Sequence, residues 1–380
     1  MTADAAGAPA RVGSPRGLTI LHVDSERGWR GGERQALWLA EGLTRAGHRS
    51  VIAARPGAPL ARRAADAGLA VVPITPLFEM DPLAVLVLRR AMRTAGAHLL
   101  HAHTSHAVAL GALATLASPR PLVLTRRVDF RLSSNPITRW KYGRADGVIA
   151  ISEAVKRALV ASGVAGERIE IVPDGVDLER VVSPASPEVL AELGVPRGAP
   201  LVVQVAALVG HKDPLTFVRA VATARRLLPD LHAIMVGAGH LRSAVEAERA
   251  ALGLDNSLHV PGYRTDADAI LAAADVVTLS SAEEGMGTVL LDAFAVGRPV
   301  AATAGGGIPE VVDHEVTGLL APVGDGKALG LAIARLLSDR PLAARLTAAA
   351  RERVKHFSIA RTVESTLAVY DRVLAARSLS

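Results

Sequence analysis

Cysteine is absent from this 380-residue chain. Disulfides and thiolate metal sites are therefore excluded, and the redox compartment leaves no mark on the sequence. Aromatic residues are scarce: five Phe, three Trp and three Tyr. Readers of single-stranded nucleic acid stack bases on aromatic rings, so this scarcity speaks against a nucleic-acid partner. No apolar run reaches the roughly eighteen residues that a membrane-spanning helix needs. The first twenty residues are small and polar, with no apolar signal core. These absences together point to the cytoplasm.

What is present is aliphatic. Hydrophobic residues are 50% of the chain, dominated by Ala, Leu and Val, and the length suffices for two domains of ordinary size. The net charge of +6 is unevenly placed. Residues 1–182 hold 24 Lys+Arg against 16 Asp+Glu, a net +8, and residues 183–380 hold 19 against 21, a net −2. A basic first half suits a polyanion or an anionic membrane surface, and equally a set of solvated helix faces.

The most specific stretch is Ser280–Glu310. It begins where a β-rich apolar run, Asp275–Ser280, ends. Glu284 follows, then Gly285-Met286-Gly287, then a helix predicted over Thr288–Val296. Gly297 stops that helix, and Arg298-Pro299 leads into a strand at Val300–Thr303. A second glycine loop, Gly305–Gly307, opens a helix near Ile308-Pro309-Glu310. A glycine turn between strand and helix lets main-chain N–H groups approach an anion, and the helix N-terminus adds partial positive charge. The Gly285–Thr288 turn thus reads as a diphosphate seat. Asp292 lies one turn further on the same face, where a carboxylate can accept two hydrogen bonds from the diol of a ribose. Glu284 lies on the other side of the turn, where a second polyol would sit.

This ordered set resembles the Glu-x7-Glu signature of the retaining glycosyltransferases of family 4, which have the GT-B fold. Glu284 matches the first acid, and Asp292 matches the second, where the family usually carries Glu. The Gly-Arg-Pro-Val and Gly-Gly-x-Pro-Glu elements match as well. The resemblance covers nearly the whole chain. It implies an α/β protein of two Rossmann-like domains with parallel sheets facing a central cleft. It further implies transfer of a sugar from a nucleotide-diphosphate sugar to a glycan or lipid-linked acceptor, with no metal cofactor.

Taken in order, residues 1–16 read as a disordered start. Gly17–Val23 reads as a strand, Gly28-Trp-Arg-Gly-Gly32 as a glycine loop and Glu33–Ala46 as an amphipathic helix. By resemblance, Gly31 and Gly32 face the donor. Pro82–Ala95 reads as a helix with Arg89, Arg90 and Arg93 on one side, suited to anionic lipid headgroups or to water. Ala97–His103 reads as a strand whose end carries His101, His103 and His106. Three imidazoles can ligate a metal, but no carboxylate or cysteine accompanies them locally. The resemblance instead puts all three on the acceptor side, with His103 stabilising developing charge; buried structural histidines and a metal site are the two other readings.

Pro121–Thr125 reads as a strand ending at Arg126-Arg127. Related mannosyltransferases usually place a functional His where Arg127 stands. Arg cannot act as a base at neutral pH, so the two arginines suit an anionic acceptor or the donor diphosphate. Asp174–Asp177 is a turn that resembles the usual end of the first domain. Residues 178–199, rich in Pro, Gly and Ser, form a linker. After the strand Leu201–Val205, the family places an Arg and then a Lys on the diphosphate. Lys212 fits the Lys, whereas Ala207 stands at the Arg position, leaving His211 or a first-domain arginine to substitute. Tyr263 stacks on the nucleotide base or simply packs. Asp266-Ala-Asp268 reads as a helix cap rather than a metal motif. Glu310 supports the glycine loop or touches the donor. The domains so read are 17–177 (acceptor side), 178–199 (linker), 200–357 (donor side) and 358–380 (a terminal helix crossing back to the first domain).

The catalytic set implied is Glu284, Lys212, His103 and Arg127. Two further readings stand beside it: a non-hydrolysing nucleotide-sugar epimerase of the same fold, and a binding protein with a decayed site. The expected location is the cytoplasm, at the inner face of a membrane.

Overall fold

The computed structural model describes residues 17–116, 118–180 and 182–378. The disordered start expected over residues 1–16 lies outside the described residues. Strands and helices alternate through the chain. The first half runs β1 (Thr19–Val23), α1 (Gly31–Arg45), β2 (Arg49–Ala54), α2 (Pro59–Asp66), β3 (Ala70–Pro73), α3 (Pro82–Thr94), β4 (Leu99–Ala102), α4 (Ser105–Ala114), β5 (Leu122–Arg126), α5 (Pro136–Gly143), β6 (Gly147–Ala150), α6 (Glu153–Ala161) and β7 (Ile169–Ile171). These strands form a seven-stranded sheet in the order β3-β2-β1-β4-β5-β6-β7.

The second half runs α7 (Pro187–Glu192), β8 (Leu201–Val205), α8 (Pro214–Leu227), β9 (His232–Val236), α9 (Arg242–Ala251), β10 (Leu258–Gly262), α10 (Ala267–Ala273), β11 (Val276–Leu279), α11 (Thr288–Ala295), β12 (Val300–Thr303), α12 (Ile308–Val311), β13 (Leu319–Ala321), α13 (Gly326–Ser338), α14 (Arg340–Val354) and α15 (Ile359–Ser378). Its six-stranded sheet has the order β10-β9-β8-β11-β12-β13. The named pairings in both sheets are parallel. Parallel strands are covered on both faces, which is why β1, β4, β5, β6, β11 and β12 are buried at every position.

Helix starts follow capping chemistry. Asp81, Asn135, Ser152, Asp213, Asp325 and Asp339 each accept a main-chain N–H in the first turn of the helix they open. Two helices escape sequence periodicity. The helix α4 is apolar on nearly all sides and buried, so it shows no amphipathic stripe. The short α5 is marked only by its Asn135 cap and Pro136. At the front of α1, Gly31 and Gly32 belong to the first helical turn rather than to the preceding loop.

By contacts the chain divides into two units: Met1–Leu124 with Ala145–Gly147 and Val363–Ser380, and Thr125–Arg144 with Val148–Thr362. In the first, α15 packs on the sheet. Val369 and Val373 stand over Gly147, where an added Cβ would meet Val373 Cγ2 at 2.8 Å. In the second, a core built on Phe217, Val221, Met235, Val276, Leu329 and Ile333 holds the six-stranded sheet against α8 and α13.

Candidate active site

The second unit gathers most of the expected site. The loop after β8 turns through Gly210–Lys212 into α8. Asp213 takes a left-handed φ of +42°, which Asp tolerates better than most residues. Its carboxylate accepts Thr216 Oγ1 at 2.6 Å, fixing the turn. Ser280 Oγ, at the end of β11, donates toward Lys212 O (3.1 Å) and Asp213 O (2.9 Å). The His211 carbonyl accepts the N–H groups of Ala282 and Glu283. The two loops are thus laced together, and the lacing brings Lys212 Nζ onto the Glu284 carboxylate as an ion pair. Ser281 Oγ donates to the same Glu284 oxygen at 3.0 Å.

Around Glu284 the main chain is crowded. Asp129 Oδ2 accepts the Glu284 N–H at 3.0 Å. Gly307 N–H donates to Glu284 O at 2.7 Å, tying the second glycine loop to the first. Ser152 Oγ donates to Gly285 O at 2.5 Å. A Cβ at Gly285 would collide with the Arg127 carbonyl, and one at Gly306 with the Asp129 carboxylate and the Glu284 main chain. Only glycine permits this approach. The helix α11 then starts from Gly287 (φ +80°) with no side chain capping it, so its first-turn N–H groups face the loop. Met286 is buried.

Glu310 reaches neither loop. Its two oxygens accept the N–H groups of Glu153 and Ala154, each at 2.8 Å, at the start of α6. The carboxylate thereby ties α12, which follows the second glycine loop, to the start of α6. Asp292 lines a groove with Val176, Asp177, Arg180 and Asp268. Tyr263 is 58% exposed. Asp266 stands at the cap position of α10 without capping it: both its oxygens go to Arg264, at 2.7 and 2.6 Å. Asp268 pairs with Arg180 at 2.6 Å. The Asp-x-Asp acids therefore turn to two separate arginines.

Burial, followed by the Lys212 charge beside it, lowers the His211 pKa below its ordinary value. Both causes favour the neutral imidazole at His211. Arg126 is buried and spends its guanidinium on the carbonyls of Val128 (3.2 Å) and Phe130 (3.0 Å). Arg127 is held by Asp174 at 3.1 Å, with only 12% and 4% of the two side chains exposed. Neither arginine is a loose anion receptor, because a guanidinium buried away from water must be paired where it sits.

In the first unit, Gly31 is exposed at the start of α1. The parallel register of β1 and β4 sets His22 opposite His101. His103, two residues on, joins them. His22 Nδ1 lies 3.0 Å from His103 Nε2, and His101 Nδ1 lies 2.6 Å from the Tyr370 hydroxyl on α15. Ligand atoms of the three rings fall within 4.8 Å of one another. The rings of His101 and His103 lie with centroids 4.1 Å apart and planes tilted by 36°. His101 is 0% and His103 5% exposed, so these two are buried cluster residues, while His106 stands in solvent. The cluster of three differs from the trio read in the sequence: His22 replaces His106. A lone His inside the apolar β1 run was the available signal. Asp129, Ser152 and Ser281 were likewise missed. Only Asp129 carried a cue, as the acid directly after the strand-end arginines.

Comparisons with known proteins agree with this layout. Residues 186–353 match the family model described as glycosyl transferases group 1, and residues 29–180 match glycosyltransferase family 4. The chain is 32% identical over 294 residues to a D-inositol 3-phosphate glycosyltransferase of Saccharomonospora viridis, covering 74% of this chain and 66% of that protein. It is 31% identical over 266 residues to a 2-deoxystreptamine glucosyltransferase of Streptomyces kanamyceticus, covering 68% of each. The chain thus spans about two thirds of the length of these curated relatives. Among solved structures, HepE of Anabaena, crystallised with UDP and glucose, superposes with a TM-score of 0.81 at 23% identity, over 93% of this chain and all of that one. That likeness shows the GT-B fold. The chain belongs to the family 4, group 1 glycosyltransferases, and is a transferase.

Proposed function

We propose that this enzyme is a retaining glycosyltransferase that takes its sugar from a nucleotide-diphosphate sugar and places it on a glycan or lipid-linked acceptor. The observation that carries the reading is the Lys212–Glu284 pair set beside the uncapped start of α11. On arrival of the donor, Lys212 turns to the diphosphate and Glu284 to the hydroxyls of the sugar. The Thr288 end of α11 offers main-chain N–H groups to the phosphates, and Asp292 takes the ribose. A uridine nucleotide is favoured by the UDP held in the HepE structures.

In the transfer, the bond from the sugar C1 to the diphosphate oxygen breaks as the bond from C1 to the acceptor oxygen forms on the same face. The acceptor proton passes to the departing phosphate oxygen. Negative charge therefore grows on the diphosphate, where Lys212 and the amides oppose it. No metal is needed in this scheme, since those groups carry the neutralisation.

Saturating nucleoside diphosphates should raise the melting temperature. A ligand present at a hundredfold excess over its Kd stabilises by about 2.7 kcal/mol. Replacing Glu284 by Ala should then abolish transfer while the protein remains folded. Unchanged turnover in that variant refutes the assignment. Absence of any nucleotide-dependent shift favours a decayed binding protein, and conversion of the donor without acceptor favours an epimerase.

A further inference from the structure

The loop before α3 and the outer face of α3 expose what such a surface normally hides. Leu77 (81%), Leu83 (69%) and Phe78 (60%) are the three most exposed large apolar side chains among the described residues, and Leu86 (57%) and Val87 (38%) adjoin them. They do not trail on a loose segment. The Asp81 carboxylate accepts the N–H groups of Leu77 (2.9 Å), Leu83 (2.8 Å) and Ala84 (3.3 Å), binding the loop to the first turn of the helix. Arg55 holds the loop from behind through Pro76 O at 2.6 Å.

The inner face of α3 is apolar as well: Ala84, Val85, Leu88, Ala91 and Met92 are buried. A helix apolar on both sides needs a second apolar medium. Its charges are ordered along the axis. Leu83, Leu86 and Val87 occupy the first half of the exposed face, and Arg90 and Arg93 follow on that face toward the C-terminal end. Arg89 is not among them, because its guanidinium is bonded to the carbonyls of Leu113 and Ala114. Asp81 is buried under the patch, and Glu79 is half-buried, so the arginines dominate the outward charge.

We propose that Leu77, Phe78, Leu83, Leu86 and Val87, backed by Arg90 and Arg93, form a docking surface for an anionic lipid bilayer. The apolar side chains enter the boundary between headgroups and acyl chains, and the two guanidiniums lie at headgroup depth. A second copy of the chain fits this face poorly. A two-fold contact with antiparallel helices would lay Arg90 and Arg93 of one copy on Leu83 and Leu86 of the other, and one with parallel helices would set the arginines against each other. No helix of the described residues is long and apolar enough to cross a membrane, so the attachment is to the surface. This inference stands on exposure and charge and does not depend on the reaction read above.

The test is co-sedimentation of the full chain with vesicles of phosphatidylcholine alone and with about a third phosphatidylglycerol. Binding to the anionic vesicles, weakened by salt, is expected, with little binding to the neutral ones. The double variant Leu83→Glu/Leu86→Glu should bind at least about tenfold more weakly, with melting temperature and donor turnover unchanged. Arg90→Ala/Arg93→Ala should lose the preference for anionic vesicles. The proposal is overturned if the wild type sediments with neither vesicle, if the Leu variant binds as the wild type does, or if sedimentation velocity shows a dimer that this variant dissociates. Donor turnover in the same samples reads the reaction separately, so either idea can fail alone.

Discussion

Removal of the Glu310 carboxylate tests how the glycine loop is anchored. Glu310 O ε1 and Oε2 accept the first two N–H groups of α6, and Ser152 Oγ accepts the third, from Val155 at 3.1 Å. A helix start leaves four such donors unpaired, so two residues satisfy three of them, and one of the two is 156 positions away in sequence. The Glu153 N–H is exposed and water can replace its partner. The Ala154 N–H is partly buried, and its bond is the costlier loss. One such bond to a charged group plus the favourable interaction of a carboxylate with the helix dipole comes to about 2 kcal/mol. Glu310→Ala should therefore lower the melting temperature by about 2–3 °C, since an unfolding entropy of about 2.1 cal/mol/K per residue over a chain of this length sets about 0.8 kcal/mol per degree. Hydrogen exchange should accelerate at Ala154 before it does at the core of β11. Arg353 Nη2, which donates to Glu310 O at 2.7 Å, should keep α12 in place. The glycine loop, freed at one end, should then blunt turnover through the Gly307–Glu284 main-chain bond rather than through loss of a donor contact. Glu310→Gln keeps one acceptor and should fall between. An alanine variant that melts and exchanges as the wild type would show that this contact carries no free energy.

Other consequences follow from close approach and from burial. Gly285→Ala should cost on the order of 1–3 kcal/mol and abolish transfer, because the new Cβ meets the main-chain carbonyl of Arg127; calorimetry and a transfer assay check this, and a variant as stable as the parent contradicts the packing. Lys212→Met should weaken nucleoside diphosphate binding more than tenfold and leave Glu284 without its cation, as read by calorimetric titration. His259 has a folded pKa lowered to about 4 by burial, then by His232 and Arg249. The unfolded chain, near 6.5, binds the extra proton first, so this contribution is present above pH 6.5 and is lost as pH falls toward 4. Solvent screening of a partly exposed group limits it to about 1–2 kcal/mol. The wild type minus His259→Gln difference in melting temperature should shrink over that window, and a flat difference refutes it.

The sequence by itself determined the alternation of strands and helices, the two glycine turns and the place of Glu284 and Lys212 in them, because each is a local matter of period, turn chemistry and helix ends. It could not reveal α4, whose burial on all sides erases the stripe that periodicity reads. Only the tertiary structure decided which distant groups meet. The register of parallel strands set His22 beside His101, and the packed loops gave Asp129 to the Glu284 amide and Asp174 to Arg127. A parallel sheet joins strands through long crossovers, so the side chains sharing a pocket come from segments whose spacing carries no signal. Charge followed the same logic: Arg126 and Arg127 read as free cations along the chain, but burial demanded partners for both, and the fold supplied them.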